Sequence, residues 1–253
     1  MNIVLFTDSE LALGVDSDDH RVTHVRNVLS IPDGQLFEAG VVNGMRGKAK
    51  FGIETAGRLR VEFEATQPAS ELYPVDVVFG ISRPQTCRFV LRALTSLGVR
   101  SIEFVLTETG EQSYASSQLW SSGEYLEIVS AAVSQAFETK LPEVRFHRTL
   151  ADVVTGCKEH SQPGNLKFCL DNYEATTSLA STISNDGTAS CLLIGPERGW
   201  SDRERHFIRE QGFLMTSIGQ RVLRVETAAI AAVSILLAKK FWASELGTLS
   251  TRS

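Results

Sequence analysis

The chain has 253 residues, enough for one large domain or two smaller ones, each with a real core. Its 43% hydrophobic and 22% charged residues exclude a disordered or fibrous chain. A net charge of −5 excludes indiscriminate nucleic-acid binding over the whole surface, because neutralising phosphates takes concentrated positive charge. Local basic patches remain, at Arg46-Gly47-Lys48-Ala49-Lys50 and among Arg198, Arg203, Arg205, Arg209, Arg221 and Arg224. Glu197, Asp202, Glu204, Glu210 and Glu226 interleave the second group, so Arg203, Arg205 and Arg209 also fit a solvated helix face.

Cys87, Cys157, Cys169 and Cys191 are scattered, with no CxxC pair. Reduced thiols in a cytoplasmic protein are expected, and no metal. The N-terminal run Ile3–Phe6 lacks a basic leader and stops at Thr7-Asp8, which points to a strand, not a signal peptide. The longest apolar run, Thr227 to Ala238, has 12 residues, against the roughly 20 that span a bilayer. No membrane association is expected.

In chain order, apolar runs at Ile3–Phe6, Gln35–Val42, Lys48–Ile53 and Leu59–Phe63 alternate with turn signals, Asn43-Gly44 the strongest. Together with one helical piece at Thr23–Leu29 they predict a small β-barrel over 1–68. The polar, proline-bearing stretch 65–74 marks a domain boundary. From 74 to 248 strands and helices alternate. Strands are expected at 75–81, 101–106, 144–147, 166–170, 191–194 and 212–218. Helices are expected at 85–97 (closed by Gly98), from Ser121-Ser122-Gly123-Glu124 to about 138, from Thr149 to 159, at 174–183, from Ser201 and at 227–238. Such alternation predicts a mainly parallel, doubly wound α/β sheet of five or six strands.

The usual catalytic loops are absent. No G-x-G-x-x-G follows a strand, and neither G-x-x-x-x-G-K-[ST] nor G-x-S-x-G occurs. His20, His24, His147, His160 and His206 form no triad or metal pattern. What remains is loop chemistry at two strand-loop-helix units, 191–201 and 212–228, the place where α/β proteins bind ligands. Gly195-Pro196 fixes a turn, Gly199 permits close backbone approach, and Ile218-Gly219 offers an opposite wall. Arg221 and Arg224, three apart, suit a phosphate or a developing anion. Equally, the glycines and Pro196 only shape tight loops, and Arg224 only caps a sheet edge.

The segments Leu193-Ile194-Gly195-Pro196-Glu197-Arg198-Gly199-Trp200-Ser201-Asp202-Arg203-Glu204 and Gly219-Gln220-Arg221-Val222-Leu223-Arg224-Val225-Glu226-Thr227-Ala228 resemble the 16S ribosomal RNA uracil-N3 methyltransferases. These are SPOUT (knotted) enzymes, with the patterns I-G-P-E-G-G-F-S-x-x-E and L-G-x-R-I-L-R-x-E-T-A. His24-Val25-Arg26-Asn27-Val28-Leu29 resembles the N-terminal H-x-x-x-V-L-R, and Leu97-Gly98-Val99 the end of an E-L-G-V helix. The chain departs from the pattern at Arg198, where the family has glycine, and at Asn27 and Ser30, where it has arginines.

The resemblance implies a PUA-like N-terminal barrel, an α/β domain with a C-terminal trefoil knot, and a homodimer. It implies S-adenosylmethionine cradled by Leu170, Ile194, Gly195, Pro196, Glu197 and Gly199 on one side. Ile218, Gly219 and Leu223 would hold it on the other. Catalysis would fall to Arg224, with Arg221, and Glu226 would accept a proton or stabilise its helix start. Contacts to ribosomal RNA or the small ribosomal subunit would come from His24, Arg26, Arg46, Lys48 and Lys50. Alternatives are a different RNA target, a non-catalytic knotted RNA-binding or assembly protein, and an unrelated α/β nucleotide-binding enzyme.

Overall fold

A computed structural model describes residues 2–159, 166–183 and 188–242, with the side chains of 155–159 left aside. His160 and the expected domain end at 243–248 lie outside the described residues. The chain divides into two compact units, Met1–Glu71 with Val129–Leu141, and Leu72–Ile128 with the chain from Pro142 onward. Residues 129–141, expected in the second domain, group with the first.

In the first unit, β1 (Val4–Phe6) leads into α1 (Asp8–Leu13). Six residues are too few to show helical periodicity, so hydrophobic pattern alone predicts no helix there. Its start is nonetheless written in Thr7-Asp8-Ser9-Glu10. The Thr7 hydroxyl accepts the Glu10 N–H at 3.3 Å, and the Glu10 carboxylate accepts the Thr7 N–H at 2.8 Å, a closed capping box. Next come β2 (Val15–Asp16), α2 (His20–Thr23) with a π-helical turn at His24–Val28, β3 (Phe37–Val41), β4 (Arg46–Thr55) and β5 (Arg58–Gln67). The strands form one sheet in the order β1-β3-β4-β5-β2, with β1 parallel to β3 and the other pairs antiparallel. The β4–β5 turn holds Ala56 and Gly57 at φ +52° and +76°, the handedness a right-twisted hairpin needs. Phe6, Phe37, Phe51, Leu59 and Val61 are buried in its core. Segment 129–141 is tied in through Asn43: its N–H donates to the Thr139 carbonyl at 2.8 Å, and its Oδ1 accepts the Leu141 N–H at 2.9 Å.

Arg21 is the polar hub of this unit. It donates to the Leu5 carbonyl at 2.8 Å, to both oxygens of Asp19 and to the carboxylate of Glu10, while lying 5.2 Å from the Phe6 ring centroid. Its hydrogen bonds hold the Glu10 and Asp19 carboxyls below their ordinary range. Depressed folded-state pKa values mean stability that is full above the unfolded values, near 4.5 and 3.8, and lost as pH falls below them. Arg21→Met is therefore expected to cost about 2–3 kcal/mol at neutral pH and to flatten the acid limb of stability below about pH 4.5. Urea melts of both proteins from pH 3 to 7 check this, and parallel pH profiles would refute it.

The second unit starts with β6 (Tyr73–Gly80), α3 (Pro84–Ser96), β7 (Val99–Val105) and α4 (Gln118–Ser121), followed by α5 (Glu124–Gln135), which passes residue 129. It continues through β8 (Glu143–His147), α6 (Leu150–Glu159), β9 (Leu166–Leu170), β10 (Thr177–Ser178), α7 (Leu179–Thr182), β11 (Ser190–Ile194), α8 (Asp202–Glu210), β12 (Leu214–Ser217) and α9 (Val225–Leu237). Among the described residues its seven strands all pair in parallel, in the order β10-β12-β9-β11-β6-β7-β8. The seventh, β10, is a two-residue edge strand where only a helix over 174–183 is expected; two residues show no period to read. All five residues of β11 are buried, as its central place demands.

Gly98, at φ +76°, closes α3 as expected, its N–H donating to Thr95. The capping box expected at Ser121 does not form. Its hydroxyl turns back to the Ser117 carbonyl, α4 ends there, and Ser122 Oγ accepts the Glu124 N–H instead. The boxes at Thr149 and Ser201 do form. Among the described residues no helix is long and apolar enough to cross a membrane, and no group of three or more His, Cys, Asp or Glu could hold a metal ion.

Candidate functional site

Three loops meet at the carboxyl ends of the adjacent strands β12, β9 and β11, and between them is a cavity of about 280 Å³. Parallel strands bring successive loops to one edge, so residues 24 or more apart in sequence become neighbours.

The β11 loop is the most constrained. Gly199 takes φ +68°, and its N–H donates to the Pro196 carbonyl at 2.8 Å, closing a tight turn. Arg198 is exposed and not at positive φ, so the left-handed position falls on Gly199 and the residue before it need not be glycine. A Cβ on Gly195 would sit 3.2 Å from Gly199 Cα and 3.3 Å from the Trp200 ring. Thr109 Oγ1 donates to the Gly199 carbonyl at 2.5 Å, and the buried Trp200 indole donates to the Leu170 carbonyl at 3.2 Å, joining this loop to the one after β9.

Of the residues expected to hold a cofactor, Leu170, Ile194, Gly195, Pro196, Glu197 and Gly199 line the cavity. Ile218 and Leu223 line it from the other side, with Arg221; Gly219 does not. Arg224 and Glu226 also stand outside. Arg224 is the N-cap of α9, its side chain 87% exposed and 4.0 Å from the carboxylate of Glu226 in the first helical turn. The local sequence explains that geometry. Val225 opens a thirteen-residue, mostly Ala, Ile, Val and Leu helix that buries Ala229, Val233, Leu236 and Leu237, leaving Arg224 at its N-cap.

Sequence reasoning missed the pair that anchors the β9 loop. The buried carboxylate of Asp171 accepts the N–H groups of Tyr173 and Glu174, each at 2.7 Å, through Oδ1. Its Oδ2 accepts Arg205 Nε at 2.8 Å, and the Arg205 guanidinium lies 5.0 Å from the Tyr173 ring centroid. Arg205 is only 7% exposed, which corrects its reading as part of a solvated helix face. That reading does describe Arg203, with its side chain 89% exposed. Alternating charges give no sign of which one turns inward; the buried face of α8, Glu204-Arg205 and Ile208, follows from packing on the sheet.

In the first unit the expected RNA contacts are engaged internally. Arg26 forks onto Asp33 at 2.9 Å twice, and Arg46 reaches Glu138 at 2.9 Å and the Phe137 carbonyl at 3.0 Å. Lys48 pairs with Glu38 at 3.5 Å and Lys50 with Glu62 at 3.1 Å, exposed pairs worth little and open to exchange. His24 opens the π-helical turn and is half-buried.

Residues 69–237 match the family model described as the RNA methyltransferase domain. The ribosomal RNA small subunit methyltransferase E of Treponema pallidum is 35% identical over 246 residues, 94% of this chain and 91% of that protein. The ribosomal RNA small subunit methyltransferase E 1 of Borreliella burgdorferi is 26% identical over 95% of this chain and 98% of its own length. The fold matches the crystal structure of a Neisseria gonorrhoeae ribosomal RNA small subunit methyltransferase E bound to S-adenosyl methionine. Its TM-score is 0.73 and its identity 22%, covering 95% of this chain and 98% of that one. With the motif loops gathered round one cavity and the similarity running the length of the chain, this protein belongs to the RNA methyltransferase family, in its ribosomal RNA small subunit methyltransferase E group.

Proposed function

We propose that this chain methylates N3 of a uridine in 16S ribosomal RNA with S-adenosylmethionine, in the cytoplasm and as a homodimer. The observation that carries the reading is the convergence of the two motif loops, 194–199 and 218–223, on one cavity at the strand ends. Its lining suits the cofactor. Leu170, Ile194, Ile218 and Leu223 offer apolar walls for a flat heteroaromatic ring, and Glu197 an exposed carboxylate for the ammonium of the amino-acid tail. A side chain on Gly195 would press into the turn that shapes this cradle. The bound cofactor supplies an electrophilic sulfonium methyl. In this reading the last segments of the second unit form a trefoil knot, and the β-rich first unit is a PUA-like barrel that presents RNA.

The chain's own task is to make uracil N3 nucleophilic. N3 carries a proton at neutral pH, and its release to bulk water leaves negative charge on the flanking carbonyl oxygens. Arg224, extended from the α9 N-cap, stabilises that charge, with Arg221 beside it at the cavity wall. Glu226 holds its place in the positively polarised first turn, its carboxylate 4.0 Å from Arg224. Fixing the base against the cavity mouth supplies much of the remaining rate.

Arg224→Ala is expected to lower kcat by roughly 100- to 1,000-fold while cofactor affinity stays within about two-fold. Single-turnover rates and calorimetry separate the two, and loss of affinity at unchanged rate would reverse the assignment. For the target, small subunits lacking the modification are treated with enzyme and cofactor. A new reverse-transcription stop is expected, because an N3 methyl blocks the Watson–Crick edge; unchanged transcription would refute the uridine-N3 assignment.

A further inference from the structure

A second and larger cavity, of about 480 Å³, opens at the carboxyl ends of β7 and β8, under the N-terminus of α6 and beside α8. It shares no lining residue with the motif cavity, and none of its residues belongs to either family motif loop apart from Arg203 and Glu204. Its size falls within the roughly 300–1,000 Å³ range of small-ligand sites.

Its walls divide cleanly by chemistry. Leu106, Leu150, Ala151 and the half-buried ring of Phe207 supply an apolar surface, Phe207 itself braced on the core. The polar groups are of two kinds. Both carboxylates are already engaged. Glu204 accepts the Glu108 N–H at 2.8 Å and the Ser201 N–H at 2.8 Å, and Glu108 accepts the Ser201 hydroxyl at 2.6 Å and lies 3.6 Å from Arg203. The Gln112 amide is likewise engaged, donating to the Thr107 carbonyl at 3.3 Å.

Two groups are not engaged. Arg148 is exposed at the rim, with no ion-pair or hydrogen-bond partner among the described residues. Thr107 is 4% exposed, and its hydroxyl, though buried, has no partner among the described residues. That oxygen is closed off from solvent, so it lies behind the cavity wall and offers no contact to a bound molecule. Thr149, by contrast, spends its hydroxyl on the Asp152 N–H at 3.2 Å.

An aromatic face and an unoccupied guanidinium in one concave site suit a single unpaired nucleotide. Sequence-tolerant RNA recognition splays bases onto aromatic rings and holds phosphate with arginine. We infer that this cavity seats one splayed nucleotide of the RNA, its base on Phe207 and its phosphate at Arg148. This rests on the RNA methyltransferase reading above. The site is physically clasped to the motif loop. Thr109, two residues beyond Thr107, donates to Gly199, and Glu108 is bonded to the α8 start that follows that loop. A nucleotide seated here therefore fixes the RNA strand relative to the loops that hold the cofactor.

The test uses the full chain and the four nucleoside 5′-monophosphates as probes, titrated calorimetrically without and with saturating S-adenosylmethionine. At least one is expected to bind in the millimolar range, equally in both conditions, and Arg148→Ala and Phe207→Leu should each weaken it roughly ten-fold. Neither change should alter S-adenosylmethionine affinity, and thermal melts confirm that both proteins fold. In methyl transfer both should raise KM for RNA with kcat within about two-fold. Absence of nucleotide binding, competition by S-adenosylmethionine, or affinities untouched by both substitutions would overturn the inference. Failure of the broader reading is read separately, as failure of S-adenosylmethionine itself to bind.

Discussion

Asp171→Ala is expected to destabilise the second unit by about 3–5 kcal/mol, because it strands a buried cation and unties a loop in one step. The Arg205 side chain is 9% exposed, and without Asp171 its remaining carboxylate neighbour is the fully exposed Asp202 at 3.0 Å. The Tyr173 and Glu174 N–H groups lose their acceptor at the same time. A double substitution, Asp171→Ala with Arg205→Met, removes the orphaned charge and should recover at least about 1 kcal/mol of the loss. Urea melts of the wild type, both single variants and the double give the coupling directly. A loss below about 1 kcal/mol for Asp171→Ala, or strict additivity in the double, would show that the pair does not hold the loop. Since Asp171 and Tyr173 also line the motif cavity, the single variant should bind S-adenosylmethionine more weakly than the double.

Gly80→Ala should weaken S-adenosylmethionine binding by ten-fold or more and cost about 1–3 kcal/mol. The added Cβ would stand 2.6 Å from Pro196 Cδ and 2.7 Å from Pro196 N. Neither side can yield cheaply. Gly80 ends β6, inside the sheet between β11 and β7 and paired with Val105, and Pro196 is a ring in a closed turn. The methyl group must therefore push the Gly195-Pro196 loop into the cavity it shapes. Calorimetry on the variant decides it, and unchanged affinity would mean that the loop's position does not set the site. Gly80 has no motif signature of its own; only the parallel pairing that lays it against residue 196 reveals its role.

Much of the fold was legible because it rests on local rules. Alternating apolar runs and caps locate most strands and helices of 75–238, and Gly98, Thr149 and Ser201 punctuate them where expected. The exceptions have physical causes. Elements of two to six residues, such as β10 and α1, are shorter than the period that would betray them. The 129–141 segment is held to the first unit by hydrogen bonds to Ile3, Asn43 and Arg46, and sequence distance carries no trace of those. For the site, the glycine-bearing loops at 194–199 and 218–223 could be read as ligand loops, since tight turns at strand ends need those residue types.

Sequence alone thus determined the parallel α/β character of the second unit and the two glycine-bearing loops that meet at one cavity. Tertiary structure alone decided which charges turn inward. Arg205 and Arg203 look alike in the sequence, yet one is buried against Asp171 and the other is in solvent. It alone placed Arg224 outside the cavity that Arg221 lines, and disclosed a second cavity at β7 and β8 built from segments some 40 to 100 residues apart. Burial and partnership are properties of three-dimensional neighbours, and a parallel sheet draws those neighbours from distant turns of the chain.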